Sequence, residues 1–142
     1  FRALETNGYG WGFAAGVVRH ADPMPGQGRT SAAYFYLPYS ASFRDDLVVL
    51  HVNLGAQDNR DRDVKPVTYG VATEINLTNR FALIAETFGD DRGSPYYQAG
   101  IRLWAVPGRF QIDATHGARS GDPGATRWWT IGMRLTTPPF LK

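Results

Sequence analysis

Three side chains have the types that a serine–histidine–acid set for nucleophilic catalysis requires: Ser40, His51 and Glu74. Ser40 and His51 flank a short polar connection, so two antiparallel strands joined there would place them side by side, with Glu74 on the next strand to orient the imidazole. A nucleophile, a base and an orienting acid within hydrogen-bond reach make up a hydrolase triad. Serine and histidine also meet on sheets in structural roles. The spacing therefore permits a lipid hydrolase, but we assign no catalytic residue and expect a protein that is not an enzyme.

A second set of polar residues recurs on one face of the predicted strands. If the strands enclose water, mixed charges on this face would line a pore that selects small polar or charged solutes. If a barrel closes at eight strands, the same side chains would fill its interior and have a structural role. The candidate lining residues are His51, Asn53, Glu74, Glu86, Arg102, Asp113 and Arg134.

One cross-strand pair can be predicted from a turn. Residues 107–108 are Pro-Gly, which is typical of a two-residue turn between strands. Such a turn would pair Val106 with Arg109, and counting back would set Arg102 opposite Asp113. We therefore expect an ion pair between Arg102 and Asp113, which would add local stability to the sheet.

Two further carboxylates need a cation nearby. Glu74 and Glu86 lie on neighbouring predicted strands and on the same face as Arg102. Charges in a narrow interior must be paired. We expect Arg102 or Arg134 to supply the positive charge, in a network of glutamate, arginine and aspartate.

Metal and cofactor chemistry find little support. The chain has no cysteine and three histidines, and the histidines do not show the spacing of metal ligands. The acidic and basic loop 58–63 offers oxygen ligands, but it lacks the glycine and the closing glutamate of an EF-hand. Residues 90–92 have the same character. We expect solvated loops, no metal and no cofactor.

Eight stretches alternate large apolar residues with small or polar ones, which is the period of a β-strand. In the clearest, residues 96–105, one face carries Tyr, Ala, Ile, Leu and Ala, whereas the other includes Gln and Arg. The alternation is weakest in residues 80–88, where Ile84 and Phe88 fall on the polar side. The predicted strands are 9–19, 33–43, 47–56, 67–77, 80–88, 96–105, 110–115 and 128–135.

The connections between these stretches are alternately long and short. The long ones are polar and join strands 1–2, 3–4, 5–6 and 7–8, so up-and-down strands would put them all at one end. Outer-membrane barrels have long extracellular loops and short periplasmic turns. The pattern predicts an all-β protein, an up-and-down antiparallel transmembrane β-barrel with eight strands visible, forming a single domain over residues 1–142.

The composition of the two faces favours lipid outside and a lumen inside. The polar face holds mostly small residues with a few charges of both signs, whereas a water-exposed sheet face carries charged or polar residues at nearly every site. The other face is rich in aromatic residues and suits a bilayer. A soluble ligand-binding β-barrel, with the apolar face turned inward, remains the alternative.

Charge and hydropathy restrict the partners. The formal charge of +2 is small and the basic residues are scattered, so we expect no nucleic-acid partner. The mean hydropathy is −0.32, without an apolar run long enough for a spanning helix. The expected partners are the lipid bilayer, lipopolysaccharide and a small solute, and the sequence does not decide between a monomer and an oligomer. The expected location is the bacterial outer membrane.

Much of the chain resembles proteobacterial outer-membrane β-barrel proteins of poorly defined function, namely the transporter-like barrels of the phenol-degradation outer-membrane group. The resemblance is carried by residues 80–117 and 128–142, and by the start of the chain, residues 1–20. It implies location and architecture and no catalytic signature. Members look longer, so it also implies the C-terminal part of a larger barrel. In such barrels the terminal residue is commonly aromatic, whereas here Phe140 precedes Leu141 and Lys142.

Overall fold

A computed structural model describes residues 2–19, 30–60, 63–121, 124 and 126–137. Nine strands form one sheet, and every ladder is antiparallel. The order is β1-β3-β4-β5-β6-β7-β8-β9, and β2 also pairs with β3. The all-β, up-and-down antiparallel arrangement is confirmed. The strands are β1 Tyr9–Trp11, β2 Ala14–Arg19, β3 Thr30–Phe43, β4 Val48–Asn59, β5 Val67–Asn76, β6 Phe81–Asp90, β7 Tyr96–Val106, β8 Phe110–Arg119 and β9 Trp128–Leu135.

The first predicted strand is divided into β1 and β2, which corrects the expected number of eight. The register is the same on both sides of the break, since Trp11 pairs with Tyr39 and Ala14 with Tyr36. Within the gap, the amide of Gly12 donates to the carbonyl of Pro38 at 2.9 Å. Proline has no N–H, so Pro38 cannot return the second hydrogen bond of this pair. The ladder is interrupted there without a change of face.

The two faces of the sheet differ in composition and in exposure. On β7, Tyr97, Ile101 and Leu103 are exposed, whereas Gln98 and Arg102 on the opposite face are half-buried. We call the face of Gln98 and Arg102 the polar face, and the face of Ile101 the apolar face. The exposure is therefore the reverse of that expected for a water-soluble sheet, whose apolar face packs against a core.

The apolar face has no second layer over it in the part of the chain that the structure describes. On β9, Ile131 is 81% exposed and Met133 76%. No large side chain among the described residues is fully buried. The buried apolar side chains are small, as Ala82 and Ala118 illustrate. The nine strands thus form a single layer that lacks a conventional hydrophobic core.

The turn after β3 has an unusual backbone. Arg44, Asp45 and Asp46 have φ values of 53°, 55° and 65°, which place three consecutive residues in the left-handed region that L-residues rarely occupy. Asn7 holds this turn from outside: its side-chain amide donates to Asp45 Oδ1 at 2.6 Å, and its Oδ1 accepts from the Asp45 amide at 2.7 Å. The segment before β1 therefore fixes a turn that is strained by itself.

Asp46 is the second anchor of this turn. Its carboxylate accepts hydrogen bonds from the hydroxyl of Ser42 and, at 2.7 Å, from that of Thr6. These hydroxyls stabilise the charged form and hold the pKa of the Asp46 carboxyl below its ordinary value of 3.8. The ionised carboxylate thereby links the N-terminal segment to the β3–β4 connection.

The predicted pairing next to the β7–β8 turn is wrong in one detail. The amide of Arg109 donates to Val106 O at 2.9 Å and Gly108 has a φ of +70°, as a turn requires. In the ladder, however, Val106 pairs with Phe110, because the register shifts between Trp104 and Val106. The shift is a bulge, in which one strand has an extra residue. Because the bulge takes up the extra residue next to the turn, the pairs further from the turn keep the predicted register.

The sheet does not close on itself in the described residues. There, β9 pairs with β8 alone, and β1 and β2 pair with β3, with Arg2 bridging to Trp11 beyond them. No helix in this part of the chain is long and apolar enough to cross a membrane. Pro138 and Pro139, which are expected to end the last strand because proline cannot donate to a ladder, lie outside the described residues, as do residues 140–142.

Candidate functional site

The ladders from β4 to β9 place all seven predicted lining residues on the polar face. Directly paired residues share a face, and so do residues two positions apart on one strand. The pairs that fix this assignment are Val49↔Glu74, Glu74↔Ile84, Ala82↔Arg102, Arg102↔Asp113 and Gln111↔Arg134. Whether these residues line a lumen stays a prediction.

Arg102 is the centre of an ionic network that spans four strands. Its Nε donates to Asp113 Oδ1 at 2.9 Å, and its guanidinium also forms an ion pair with Glu74, across β6. The predicted Arg102–Asp113 pair is confirmed. The three side chains are 15–26% exposed, so water screens these charges only in part. Gln111 completes the network with a hydrogen bond from Nε2 to Asp113 Oδ2 at 2.8 Å.

Glu86 has a different environment. Its carboxylate accepts a hydrogen bond from Gln98 Nε2 at 2.7 Å, and Gln98 Oε1 in turn accepts from the Thr115 hydroxyl at 3.2 Å. Thr115 is also hydrogen-bonded to Thr130. Among the described residues no cation lies within 4.0 Å of Glu86, so a half-buried carboxylate is met by a neutral amide. The predicted pairing of Glu86 with an arginine is not observed.

Arg134 and Asn53 lie at the margins of the network. Arg134 is paired in the ladder with Gln111 on the edge strand β9 and is exposed. It forms no ion pair with the acidic residues that the structure describes, so the expectation that it would serve Glu74 or Glu86 is not met. Asn53 is exposed further along the polar face.

Ser40 and His51 are hydrogen-bonded, with 2.7 Å between Ser40 Oγ and His51 Nδ1. The short β3–β4 connection sets this register, because Ser40 and His51 are a direct ladder pair. Glu74 borders the same cavity as His51, but its carboxylate is paired with Arg102. The first two members of the hypothetical triad therefore meet, whereas the third has another partner.

Two cavities open on the polar face and share Glu86. The first, of about 130 Å³, contains the charged groups; the second, of about 370 Å³, is bordered by aromatic rings. Side chains that line the first are His51, Glu74, Glu86, Gln98, Arg102 and Thr115. Those of the second that lie on the polar face are Tyr36, Asn53, Thr68, Glu86 and Phe88. Glu86 lies where the two cavities meet.

An aromatic cluster covers the polar face at the end with the long connections. Phe88 stacks on Tyr96 with 5.6 Å between ring centroids, and Trp128 meets both rings edge-on at 6.4 and 5.9 Å. The guanidinium of Arg119 lies 5.6 Å from the Tyr96 centroid. These contacts explain why Phe88 breaks the alternation of its strand. It belongs to a cluster on the polar face.

Sequence reasoning selected the charged members of the site and missed their neutral partners. Gln98 donates to Glu86, Gln111 donates to Asp113, and Thr115 donates to Gln98. The signal for them was present, because the two-residue period puts all three on the polar face. They were passed over because an amide or a hydroxyl alone does not indicate chemistry.

The described parts of the loops, and His116, show no metal site. In the described residues no group of three His, Cys, Asp or Glu is placed to hold an ion. Asp58 pairs with Arg60 at 3.7 Å, and His116 lies on the apolar face with its ring 4.5 Å from that of Trp129. His20 and residues 61–62 of the predicted loop lie outside the described residues.

Comparison with known proteins gives one match. The family model described as uncharacterised conserved protein UCP029691 matches residues 2–137. No curated protein and no solved structure matches the chain.

Proposed function

The chain belongs to the family of uncharacterised conserved proteins UCP029691, and we propose that it forms the wall of a β-barrel in the bacterial outer membrane. In this proposal the apolar face contacts lipid, the polar face borders a lumen, and the role is passive. Small polar solutes pass along the polar face. A purely structural barrel is the other outcome that the experiments below distinguish.

The observation that carries the proposal is the reversed exposure of the two faces. Apolar side chains such as Leu54 on β4, Ile101 on β7 and Met133 on β9 are exposed, whereas the charged groups of Glu74 and Arg102 on the opposite face are half-buried. In water, an exposed apolar surface of this extent would be unfavourable by about 25 cal/mol per Å². In a bilayer the same surface is at its lowest free energy.

The soluble-barrel alternative requires the apolar face to turn inward. The side chains on that face would then have to pack into a core, but those that the structure describes are the exposed ones, and Ile131 is 81% exposed. The polar face would also have to turn toward water, although three of its charged groups, Arg102, Glu74 and Asp113, are half-buried and paired with one another. Both features favour the membrane arrangement.

The free edges bear on how such a barrel closes. In hydrocarbon every backbone N–H and C=O needs a partner, so neither β9 nor the β1–β2 edge can face lipid unpaired. The proposal therefore includes closure by pairing of these edges with each other, with further strands or with a second subunit. The barrel width, and with it the rate of solute passage, follows from this closure.

Neighbouring tryptophans on β9 provide a direct test. Trp128 lies on the polar face and Trp129 on the apolar face, and the chain has two other tryptophans to replace by phenylalanine. In vesicles containing lipids brominated on their acyl chains, we expect strong fluorescence quenching of a variant that retains Trp129 alone. A matched variant that retains Trp128 alone should be quenched weakly. Equal quenching of both, or none of either, would contradict the membrane proposal.

Passage and structural roles are separated by conductance. The whole chain reconstituted in a planar bilayer should give discrete conductance steps if solutes pass along the polar face. Absence of steps at high protein load, with the tryptophan result positive, would leave an outer-membrane barrel with a structural role. Whether the long connections contact lipopolysaccharide can be tested by comparing the protein in vesicles that contain lipopolysaccharide with the protein in vesicles that lack it.

A second candidate function rests on the hydrogen bond between Ser40 and His51. In an ester hydrolase, Ser40 Oγ would attack the substrate carbonyl while His51 Nδ1 takes the hydroxyl proton and passes it to the leaving alkoxide. Water would then cleave the acyl-serine. The 2.7 Å separation meets the first requirement. The pairing of Glu74 with Arg102 weighs against a complete triad.

Covalent labelling tests this candidate without a known substrate. A fluorophosphonate probe should label an activated serine, and labelling should be lost in Ser40→Ala and in His51→Ala. Ser42→Ala is the matched control, since Ser42 lies on the same strand and bonds to Asp46. If unmodified protein in micelles is not labelled, the pair is structural.

A further inference from the structure

We propose that Glu86 and the aromatic rings beside it form a binding site for a small organic ammonium ion. The inference rests on the proposed function and deepens it, because it gives the chemical class of solute that the polar face would admit. It depends on three features of the described residues: the charge balance around Glu86, its position between two cavities, and the rings that border one of them.

The charge balance among the described residues leaves Glu86 without a cation. Arg102 is shared by Glu74 and Asp113, so one positive charge already serves two carboxylates. Gln98 gives Glu86 one neutral hydrogen bond. Arg119, the next cation on this face, keeps its guanidinium over Tyr96. A half-buried carboxylate in this position favours a positively charged partner, since the partner would both neutralise the charge and donate hydrogen bonds to the carboxylate oxygens.

The position of Glu86 gives that partner access. Its side chain borders the cavity of about 130 Å³ that contains Arg102 and the cavity of about 370 Å³ that contains Tyr36 and Phe88. Both cavities are open on the polar face. A ligand in the larger cavity could place an ammonium group on Glu86 while the rest of the molecule stays among the rings.

The rings define the remainder of the ligand. Tyr36 and Phe88 border the larger cavity with side chains on the polar face, and Phe88 is held in place by stacking on Tyr96. Aromatic faces attract cations and also bury apolar groups. Among the described residues no group of three His, Cys, Asp or Glu side chains is placed to hold a metal ion. An ammonium ion attached to a small apolar or aromatic group therefore fits better than a bare metal cation.

The test compares a charged ligand with its neutral counterpart on the unmodified protein. In nonionic detergent micelles, binding of benzylammonium and of benzyl alcohol can be followed by saturation-transfer NMR and titration calorimetry. We expect benzylammonium to bind at least about tenfold more tightly, as one charge-assisted hydrogen bond allows. Equal affinities would overturn the inference without any variant being needed.

Variants locate the site. Glu86→Gln keeps the shape of the side chain and should remove the preference for benzylammonium. Phe88→Leu should weaken the binding of both ligands. Asp58→Asn is the control, because it makes the same change of charge on the apolar face near the same end of the sheet. Unchanged binding in Glu86→Gln would overturn the assignment.

The result is independent of the membrane test. If Trp129 is quenched by brominated lipid but benzylammonium shows no preference, the barrel proposal stands and the ligand inference fails. If neither tryptophan is quenched and benzylammonium still binds through Glu86, the membrane proposal fails and the site remains.

Discussion

Arg102 and Glu74 form an ion pair although strand β6 lies between their strands, and the same guanidinium donates to Asp113 at 2.9 Å on the other side. One arginine therefore joins β5, β7 and β8 on the polar face. The residue of β6 directly opposite Arg102 is Ala82, which is 1% exposed. A small side chain at this point leaves room for a long one to cross.

Loss of Arg102 should destabilise the sheet. Arg102→Met leaves two half-buried carboxylates unpaired, and we expect the free energy of unfolding to fall by about 1–3 kcal/mol, between the values for exposed and buried pairs. The measurement is urea unfolding in micelles, followed by tryptophan fluorescence. Arg134→Met is the matched control, since Arg134 is exposed on the same face. A loss of equal size in the control would show that the network contributes nothing particular.

Gly100 should tolerate no side chain. A Cβ there would overlap the carbonyl of Ala114 and come within 2.7 Å of Thr115 Cα, both of which are backbone atoms of the paired strand. We expect Gly100→Ala to lower the free energy of unfolding by about 1–3 kcal/mol, as overpacking does. Gly132→Ala, whose nearest contact is 4.0 Å away at Asp113, should have little effect. The unfolding midpoints of the two variants would be compared; similar midpoints would contradict the expected clash.

The turn after β3 should weaken in acid. The folded pKa of Asp46 lies below its ordinary value of 3.8, so the unfolded chain binds more protons below about pH 4 and the contribution of Asp46 to stability is lost as the pH falls. Above that range the contribution is fully present. We expect Asp46→Asn to reduce stability at pH 6 and to flatten the acid side of the stability profile. Asp63→Asn, a control at an exposed residue, should leave the stability profile unchanged. If the profile of Asp46→Asn matches that of the unmodified protein, the Asp46 carboxylate does not have the proposed role.

A charge on the apolar face should oppose folding into lipid. Ile101→Arg should lower the stability of the bilayer-folded protein by about 2–4 kcal/mol if this position lies near the bilayer midplane. Thr130→Arg places the same charge on the polar face, at nearly the same level of the sheet, and should cost less. Folding into vesicles, measured by far-ultraviolet circular dichroism against urea, gives both values. A larger loss for Thr130→Arg would indicate that lipid faces the other side.

The strands and their faces could be predicted because the two-residue period is a local property. The turn at residues 107–108 also sufficed to place Arg102 opposite Asp113, since the bulge near Val106 affects only the pairs closest to the turn. The division of the first strand was not predicted. It arises because Pro38 has no N–H to donate to Gly12, the residue that it faces on the neighbouring strand. The alternation of residues along one strand does not reveal which residues pair across strands.

The limits of sequence reasoning are clearest at Arg134 and Glu86. Both lie on the predicted face, but they are on strands separated by β7 and β8, and Arg134 is on the edge. Whether an edge side chain reaches the middle of a face depends on the curvature of the sheet, which no local pattern gives. The hydrogen bond of Glu86 with Gln98 was decided by cross-strand position, since these two residues are a direct ladder pair.

The up-and-down order also has a kinetic consequence. Apart from β1, which pairs with β3 as β2 does, each strand pairs with its neighbour in the chain, so the loops that must close are short and their entropy cost rises only slowly with length. Low sequence separation between partners favours rapid folding. We therefore expect assembly to proceed hairpin by hairpin, while any joining of β9 to the β1–β2 edge has to bring together segments more than a hundred residues apart. Closure would then be the slow step, and a sheet with both edges open would be the species that accumulates before it.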